Sequence, residues 1–279
     1  MRVDAHQHFW RYQREKHDWI TDQMSVLKRD FLPQDLEPHL TRNALDGSVA
    51  VQADQSEQET LFLLELAENC ARILGVVGWV DVRADNLSER LEFFSQFTKL
   101  SGFRHVVQSE PDDRFLLDPR FLRGIARLEK FGFTYDVLIF PKQLPAAIEF
   151  TEKFPAQKFV VDHIAKPSIR ELQIDGWSGQ IRALASNPNV LCKLSGMVTE
   201  ANWSGWRPED FTPYLDVVFD AFGPDRLMFG SDWPVCLVAG TYDEVYELVV
   251  SYTRAFPVID RVKIFGDNAV KFYGLERPG

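Results

Sequence analysis

The amino-acid sequence predicts an α/β fold in which one domain forms a (β/α)8 TIM barrel, and three observations support this prediction. The chain has 279 residues, which is close to the size of one such barrel. Its hydrophobic content of 45% is enough for one large buried core. Short apolar segments alternate with helical patterns along the chain, and eight of them can be counted, the number that closes this barrel. We therefore predict one barrel domain over residues 1–279.

Each predicted strand is a short apolar run bounded by turn residues, as expected for a parallel sheet that is buried on both faces. In chain order the predicted strands are residues 2–9, 47–53, 74–80, 102–107, 134–140, 159–164, 190–194 and 226–230. A doubly wound open sheet would show the same alternation of strands and helices. The strand count alone therefore does not distinguish the barrel from the open sheet.

The predicted helices carry apolar residues at helical spacing between these strands. In the first of them Leu61, Leu64 and Ala67 contribute to an apolar face, and Asp118 precedes the second as its N-cap. The predicted helices are residues 57–73, 119–131, 141–153, 208–222 and 242–255.

Two connections, residues 10–32 and 197–207, are longer than helix packing requires. Both contain tryptophan and charged residues, and both follow strands at the end of the barrel where barrel enzymes have their active sites. We predict that they form a lid over a pocket. Ordinary surface loops with tryptophans packed at the rim are the alternative interpretation.

The composition indicates a soluble cytoplasmic protein that acts on a small molecule. A formal net charge of −10 and scattered basic residues argue against binding to nucleic acid or to an anionic membrane. We find neither a signal peptide pattern nor an uncharged apolar stretch long enough to span a membrane. The three cysteines are far apart, which favours buried thiols over disulfides or a thiolate metal cluster.

The first predicted strand ends in the motif D-A-H-Q-H-F-W at residues 4–10. His6 and His8 are two residues apart and therefore point to the same face of the strand. In a barrel that face is the interior, where two imidazoles need a metal, a carboxylate or a substrate as a partner. An isolated H-x-H pair also occurs by chance, so its interpretation depends on whether other strand ends also carry polar residues.

Two further polar residues follow apolar strands. His163 lies at the carboxyl end of the sixth predicted strand in D-H-I-A-K-P, and Asp232 follows the eighth in F-G-S-D-W-P. These are active-site positions in a barrel. A core histidine bonded to a carbonyl and an Asp that caps a turn are the purely structural alternatives.

These motifs, together with G-F-R-H near residue 104 and G-D-N-A-V-K-F-Y near the C-terminus, resemble the sugar-lactonase branch of the amidohydrolase superfamily (amidohydrolase-related family 2). The resemblance extends over nearly the whole chain and includes L-fuconolactone and L-rhamnonolactone hydrolases. It implies a (β/α)8 barrel, and it implies hydrolysis of a lactone to the open aldonic acid in sugar catabolism.

The resemblance also implies that His6, His8, His163 and Asp232 surround a hydrolytic water, with Asp232 as general base and His163 as a second catalytic residue. The fifth strand offers no histidine, so we do not expect a two-metal centre. The four residues suit one divalent metal, zinc, with an open position for water. A metal-free site, in which the histidines and Arg104 polarise the carbonyl, is equally compatible with the sequence.

We expect the substrate to contact Arg104, His105, Trp10 and Lys166, which all lie close to the motifs. Arg104 is the preferred candidate because only one of two adjacent strand residues points inward. A salt bridge of Arg104 to a carboxylate is the alternative. Trp10 could stack on a sugar ring or simply pack in the core. Lys166 could bind sugar hydroxyls or lie in solvent, and Lys193 is a weaker candidate of the same kind.

Two other functions remain open at this point. A zinc-dependent decarboxylase, or another carboxylic ester or lactone hydrolase of the same superfamily, would use similar histidines and a late Asp. A decarboxylase should have several cations at its strand ends, whereas Arg104 is the one clear inward candidate in the sequence. A binding barrel without turnover would not need a general base. The particular sugar, the ring size and the oligomeric state cannot be read from the sequence.

Overall fold

The computed structural model describes residues 1–277 and confirms the predicted (β/α)8 barrel. The last two residues of the predicted domain, 278 and 279, lie outside the described residues. Eight parallel strands form one sheet in chain order. The strands are β1 (Val3–Gln7), β2 (Gly47–Val51), β3 (Ile73–Gly78), β4 (Leu100–His105), β5 (Thr134–Val137), β6 (Phe159–Val161), β7 (Val190–Leu194) and β8 (Leu227–Phe229).

Contacts between the ends of β1 and β8 close the sheet into a barrel. Gln7 forms an isolated parallel bridge with Trp233. The N–H of His8 donates to the carbonyl of Trp233 at 2.7 Å, and the N–H of Asp232 donates to the carbonyl of His6 at 2.8 Å. An open doubly wound sheet has no such contact between its first and last strands, so these bonds decide for the barrel.

Helices follow the strands and cover the outside of the barrel. They are α1 (Pro33–Arg42), α2 (Glu57–Asn69), α3 (Leu87–Phe94), α4 (Pro119–Leu128), α5 (Leu144–Glu152), α6 (Trp177–Ala185), α7 (Pro208–Phe222), α8 (Tyr242–Tyr252), α9 (Val258–Val262) and α10 (Asn268–Tyr273). Asp118 caps α4 as predicted, since its carboxylate accepts the N–H groups of Arg120 and Phe121.

The interior of the barrel has two layers that differ in polarity. Toward the amino ends of the strands it is apolar, with Val160 and Met228 packed against Phe272 and Tyr273 of α10. Two residues beyond Val160, the segment after β6 carries the buried charged side chain of Asp162. The apolar layer therefore forms the floor beneath a polar layer at the carboxyl ends of the strands.

The two long connections adopt compact structures of their own. In the first, the backbone of Trp10 pairs with that of Phe31, so the segment between them folds back on the end of β1. In the second, residues 198–200 form a short helical turn. Among residues 1–277, no helix is both long enough and apolar enough to cross a membrane.

Candidate active site

Three histidine side chains and one carboxylate converge at the carboxyl ends of the strands. The Nε2 atoms of His6 and His8 are 3.2 Å apart. Oδ1 of Asp232 lies 3.3 Å from His8 Nε2, 3.8 Å from His6 Nε2 and 3.9 Å from His163 Nε2. All four side chains are buried. The structure thus brings together the four residues that the sequence placed at strand ends.

A β-bulge in β1 helps to direct its histidines inward. Asp4 pairs with Ser48 and Gln7 pairs with Ala50, so three steps along β1 match two steps along β2. The Asp4 carboxylate accepts the N–H of His6 at 3.1 Å within this irregular stretch. Bulges change the direction of side chains and are common beside active sites. Asp4, which precedes the H-x-H motif, therefore helps to fix the backbone of His6.

Left-handed backbone conformations place the other two residues. Residues 163–166 have φ angles of +55°, +49°, +58° and +48°, and Asp232 has a φ angle of +56°. Each non-glycine residue in this region is disfavoured by about 1–2 kcal/mol, so such a run needs support from its surroundings. Strained backbone of this kind concentrates at functional sites. The left-handed turn directly after β6 brings His163 to Asp232.

Hydrogen bonds on the outer ring nitrogens orient two of the histidines. Nδ1 of His8 lies 2.8 Å from the carbonyl oxygen of Val51. Because a carbonyl can only accept, this Nδ1 carries a proton, and in the neutral ring Nε2 then presents its lone pair. Nδ1 of His163 lies 2.8 Å from Oγ of Ser195. Outer bonds of this kind are typical of metal-binding histidines.

In the neutral form of His8, the lone pair of Nε2 faces an oxygen of Asp232 at 3.3 Å, with no proton between the two atoms. Two acceptors this close repel each other, and a cation between them would turn the repulsion into coordination. His6, His8 and Asp232 also have donor atoms within 4.8 Å of one another. The residues present therefore fit a divalent metal ion.

Protonation states agree with a cation site. Burial lowers the pKa of His163 to about 4. Burial and the charge of Lys193 hold the pKa of His6 well below its usual value. Burial acts to raise the pKa of Asp232, but the positive charge that the rings of His163 and His8 carry when protonated prevails and keeps it below its usual value. At neutral pH, the neutral rings of His6 and His163 therefore face an ionised carboxylate.

A network of buried ions lies behind His6. Nζ of Lys193 is 2.5 Å from the carboxylate of Asp136 and 3.0 Å from that of Asp162. Arg104 pairs with Asp162 at 3.0 Å. Nδ1 of His6 lies 3.0 Å from Lys193 Nζ and 3.4 Å from Asp162 Oδ1. Two cations and two carboxylates balance each other, as buried ions require.

The sequence motifs did not reveal Asp136 and Asp162 as members of the site, and they ranked Lys193 low. A signal was nevertheless present, because each of these charges interrupts or ends an apolar strand. A charge at an inward position of a buried strand needs a partner. Opposite charges on the fifth, sixth and seventh predicted strands could therefore have indicated that buried charges are paired there, although not which residues pair.

Arg104 is the preferred candidate for a substrate contact, but both of its terminal nitrogens bond other residues of the protein. One terminal nitrogen bonds Asp162, and the other bonds both the backbone and the side-chain oxygen of Gln52. The same guanidinium is 3.4 Å from His6 Nε2, so Arg104 does lie beside the converging residues. These bonds correspond to the salt-bridge alternative and assign Arg104 a supporting position.

His105 and Trp10 have their polar atoms engaged elsewhere. The His105 ring bonds Glu110 at 2.6 Å and accepts from the indole of Trp79 at 3.3 Å. The indole of Trp10 donates to the Arg29 carbonyl, and its ring packs within the core. Core packing accounts for these contacts, and substrate binding by either residue stays a prediction.

Lys166 lies at the edge of the site, at the end of the left-handed turn. Its ammonium group is 3.5 Å from Oε1 of Glu200, and both side chains are partly exposed. Burial raises the pKa of Glu200, and the charge of Asp232 contributes in the same direction. Glu200 comes from the connection after β7, so that connection contributes a polar group close to Asp232.

Comparisons with known proteins identify relatives over almost the whole chain. The sequence matches the amidohydrolase family over residues 3–275. An L-fucono-1,5-lactonase of Burkholderia multivorans is 46% identical over 289 residues, which cover 100% of this chain and 97% of the relative. An L-fucono-1,5-lactonase of Burkholderia ambifaria is 35% identical over 284 residues, with coverage of 99% and 97%.

The fold comparison leads to the same family. A crystal structure of an amidohydrolase from Burkholderia multivorans with bound zinc superposes with a TM-score of 0.95 at 46% identity. The superposition covers 99% of this chain and 100% of that chain. Because the family match and both relatives extend over almost the entire sequence, this chain is a member of the amidohydrolase family.

Proposed function

We propose that the protein hydrolyses a six-membered lactone of a sugar acid, of the L-fucono-1,5-lactone type, to the open aldonic acid. The observation that carries this proposal is that the Nε2 atoms of three histidines lie within 3.9 Å of Oδ1 of Asp232. This arrangement combines a base with a candidate cation site. The names of the two relatives at 46% and 35% identity supply the class of substrate.

Asp232 acts as the general base in this proposal. Its Oδ1 faces the histidines, which leaves Oδ2 to accept a proton from the attacking water. The oxygen of that water attacks the lactone carbonyl carbon, and the resulting tetrahedral adduct collapses by breaking the bond from this carbon to the ring oxygen. The proton held by Asp232 passes to the departing ring oxygen, which becomes the free hydroxyl of the product.

We propose that His6, His8, His163 and Asp232 hold one zinc ion. The Nε2 atoms of His6 and His8 are 3.2 Å apart, and Oδ1 of Asp232 lies 3.3–3.9 Å from the Nε2 atoms of the three histidines, so these atoms are close enough to share one ion. A bound zinc ion would supply a Lewis acid that polarises the lactone carbonyl. His163 then serves as a ligand and orients the carboxylate of Asp232.

Lys166 and Glu200 are the proposed contacts for sugar hydroxyls. A lysine ammonium donates to hydroxyl oxygens and a carboxylate accepts from hydroxyl protons, so the pair can recognise a polyol from both sides. Arg104 contributes indirectly by holding Asp162 behind His6. We keep Trp10 and His105 as weaker proposed contacts that would require rearrangement of their present packing.

The charge balance favours a neutral lactone over the acid that a decarboxylase would bind. Arg104 and Lys193 are both neutralised by buried carboxylates, and Lys166 is paired with Glu200. None of these three cations is unpaired at the site and ready to bind a substrate carboxylate. A lactone needs no such partner, because its ring carries no charge.

The proposal is tested with a pH-indicator assay of acid release on a panel of sugar lactones that includes L-fucono-1,5-lactone and its diastereomers. We expect turnover by the wild-type protein and a fall in kcat/KM of about 10²–10⁴-fold for Asp232→Asn, because general-base catalysis contributes in that range. Asp220→Asn, which alters an exposed carboxylate paired with Arg182, is the matched control and should keep full activity.

The same assay after chelation and after return of zinc tests the metal. Loss of activity on chelation and recovery with zinc would support the proposed centre. Full activity in a chelated sample that contains less than one tenth of an equivalent of metal would contradict the zinc proposal but not lactone hydrolysis. Absence of acid release on every lactone would overturn the proposed function itself.

A further inference from the structure

Trp79 is a large aromatic residue at the mouth of the barrel to which the proposed mechanism gives no role. It directly follows β3, and its side chain is partly exposed. Its backbone N–H and its carbonyl both bond the hydroxyl of Thr60 in α2, at 2.8 Å each. These two bonds fix the backbone of Trp79 at the carboxyl end of the strand, which is the end where the four converging residues lie.

The register of the sheet places Trp79 at the level of the converging residues. A Cβ atom on Gly78 would meet a side chain of α2 at 2.4 Å, so residue 78 faces the outside of the barrel and the next residue faces the interior. Since Gly78 pairs with residue 103 of β4, Trp79 lies at the level of Arg104. The Arg104 guanidinium is 3.4 Å from Nε2 of His6. Trp79 therefore forms part of the wall of the barrel mouth, one strand away from the group beside His6.

His105 holds the indole ring of Trp79. The indole N–H donates to Nδ1 of His105 at 3.3 Å, and Nε2 of the same imidazole lies 2.6 Å from the carboxylate of Glu110. Because Nδ1 accepts the indole proton, Nε2 carries the proton of the imidazole and donates it to Glu110. The His105 ring is also stacked on Phe115, with 4.9 Å between the ring centres and 13° between the planes. His105 is thus held at both nitrogens and on one face.

The bond to His105 uses the only polar atom of the Trp79 side chain. An indole has one donor and no acceptor. The remainder of the ring can offer only apolar carbon and its aromatic face to a bound molecule. A hydroxyl group placed against such a surface loses its bonds to water without gaining a partner, whereas a methyl group gains from the same burial. The Trp79 ring can therefore discriminate between these two groups.

We propose that Trp79 determines specificity by packing against the methyl group of a 6-deoxy sugar lactone, and that His105 is a positioning residue for its indole. The inference rests on the proposed function. L-Fucono-1,5-lactone carries a methyl group on C5, whereas L-galactono-1,5-lactone has the same ring configuration and carries a hydroxymethyl group there. His105 acts through Trp79 in this proposal and needs no contact with the lactone.

The test compares kcat/KM for these two lactones in the pH-indicator assay, in the wild-type protein and in Trp79→Ala. We expect the wild type to prefer the methyl-bearing lactone about tenfold or more, since one small group in an apolar pocket is worth about 10–200-fold. This preference should fall about tenfold in Trp79→Ala. A general structural defect would lower kcat/KM for both lactones alike and leave their ratio unchanged. No preference in the wild type, or an unchanged ratio in Trp79→Ala, overturns the proposal.

A double-mutant cycle tests the positioning role of His105. His105→Phe frees the indole N–H to bond a hydroxymethyl oxygen, so the preference should fall about threefold or more, the effect of one neutral hydrogen bond. Trp79→Phe keeps an aromatic ring without an N–H and should keep the wild-type preference. Adding His105→Phe to Trp79→Phe should then change nothing. An effect of His105→Phe that is equal in both backgrounds, or absent from both, overturns the positioning role.

Trp206→Ala is the matched control. Its indole N–H also bonds a single acceptor, the Ala239 carbonyl at 2.7 Å, and its ring packs against Phe211 of α7. It should leave the ratio of the two lactones unchanged.

If Trp79→Ala fails to fold by circular dichroism, Trp79→Gln takes its place, because the amide of the new side chain can bond a hydroxymethyl group. The preference should again fall about tenfold, and an unchanged ratio overturns the proposal. A wild-type protein that opens no lactone of the panel overturns the proposed function and this inference with it. Turnover of lactones with a ratio that Trp79 does not influence overturns the inference alone.

Discussion

Gly196 lies against the ring of His163, and its lack of a side chain is what permits this approach. A Cβ atom at this position would be 2.4 Å from Nδ1 of His163, and the residue has a φ angle of +59°. Gly230 stands in a similar relation to His6, where an added Cβ would be 2.6 Å from the Cβ of the histidine. Two of the converging histidines thus depend on neighbouring glycines.

We predict that Gly196→Ala lowers kcat by at least about tenfold, because even a small displacement of a catalytic group is costly. Zinc affinity should fall as well, since His163 is a proposed ligand. Gly179→Ala is the control: an added Cβ there meets nothing within 4 Å in the exposed part of α6. The control should retain activity and gain about 0.5–1 kcal/mol of stability. Wild-type turnover by Gly196→Ala would contradict this packing argument.

Most of the strands end earlier than the apolar runs of sequence from which they were predicted. The sixth strand was predicted over residues 159–164 but is observed over Phe159–Val161, because the next residues leave the sheet and enter the left-handed turn. Apolar content continues through Ile164 and does not reveal that change of backbone. The first of the two connections predicted to form a lid is compact, and its Trp10 ring packs against Phe31.

The first turn of α2 contains a carboxyl group with a raised pKa. Burial raises the pKa of Glu59 to about 7, although its carboxylate accepts the N–H of Ala53 at 3.1 Å. Below pH 4.5 the group is protonated in both the folded and the unfolded chain. As pH rises toward 7 the unfolded chain releases the proton first, so the free energy of unfolding falls, and it levels off above about 7.

We therefore predict that the wild-type protein loses up to about 3 kcal/mol of stability between pH 5 and pH 8 relative to Glu59→Gln. Urea unfolding at both pH values measures the difference. Glu57→Gln, on the same helical turn but in an ion pair with Arg90, is the control and should follow the wild-type pH dependence. Parallel pH dependence of wild type and Glu59→Gln would refute the assignment.

Asp4 connects the first strand to the segment after the last strand, where the barrel closes. Its Oδ1 accepts the N–H groups of His6 and Ser231, and its Oδ2 accepts the hydroxyl of Tyr242. Burial raises the pKa of Asp4 to about 6. One side chain thus holds β1, the segment after β8, and α8 together behind two proposed ligands.

We predict that Asp4→Ala destabilises the protein by at least about 3 kcal/mol, because three buried donors lose their acceptor. Asp4→Asn should cost about 1 kcal/mol or less, since its amide oxygen can still accept and its amide nitrogen can donate to Tyr242. Asp46→Ala, which removes a single bond to the exposed N–H of Arg2, is the control. Denaturant unfolding measures all three, and equal losses for the alanine and asparagine variants at Asp4 would contradict the prediction.

The motifs of the sequence were enough to predict the fold class and the four residues that converge at the site. The alternation of strands and helices fits both a barrel and an open sheet, and the resemblance of the motifs to the amidohydrolase superfamily favoured the barrel. In a parallel barrel the carboxyl ends of all strands lie at the same mouth, so His6, His8, His163 and Asp232 were expected near one another. The match to the amidohydrolase family confirms this interpretation of the fold.

The pairing of charges in the interior, and the set of side chains that reach the site, follow from the tertiary structure. Asp136 lies on β5, Asp162 in the turn after β6 and Lys193 on β7, and their contacts depend on the register and closure of the whole sheet. The engagement of Arg104 by Asp162 likewise joins β4 to the turn after β6. No local pattern encodes such pairings, because the sequence around one charged residue does not specify which distant residue it will meet.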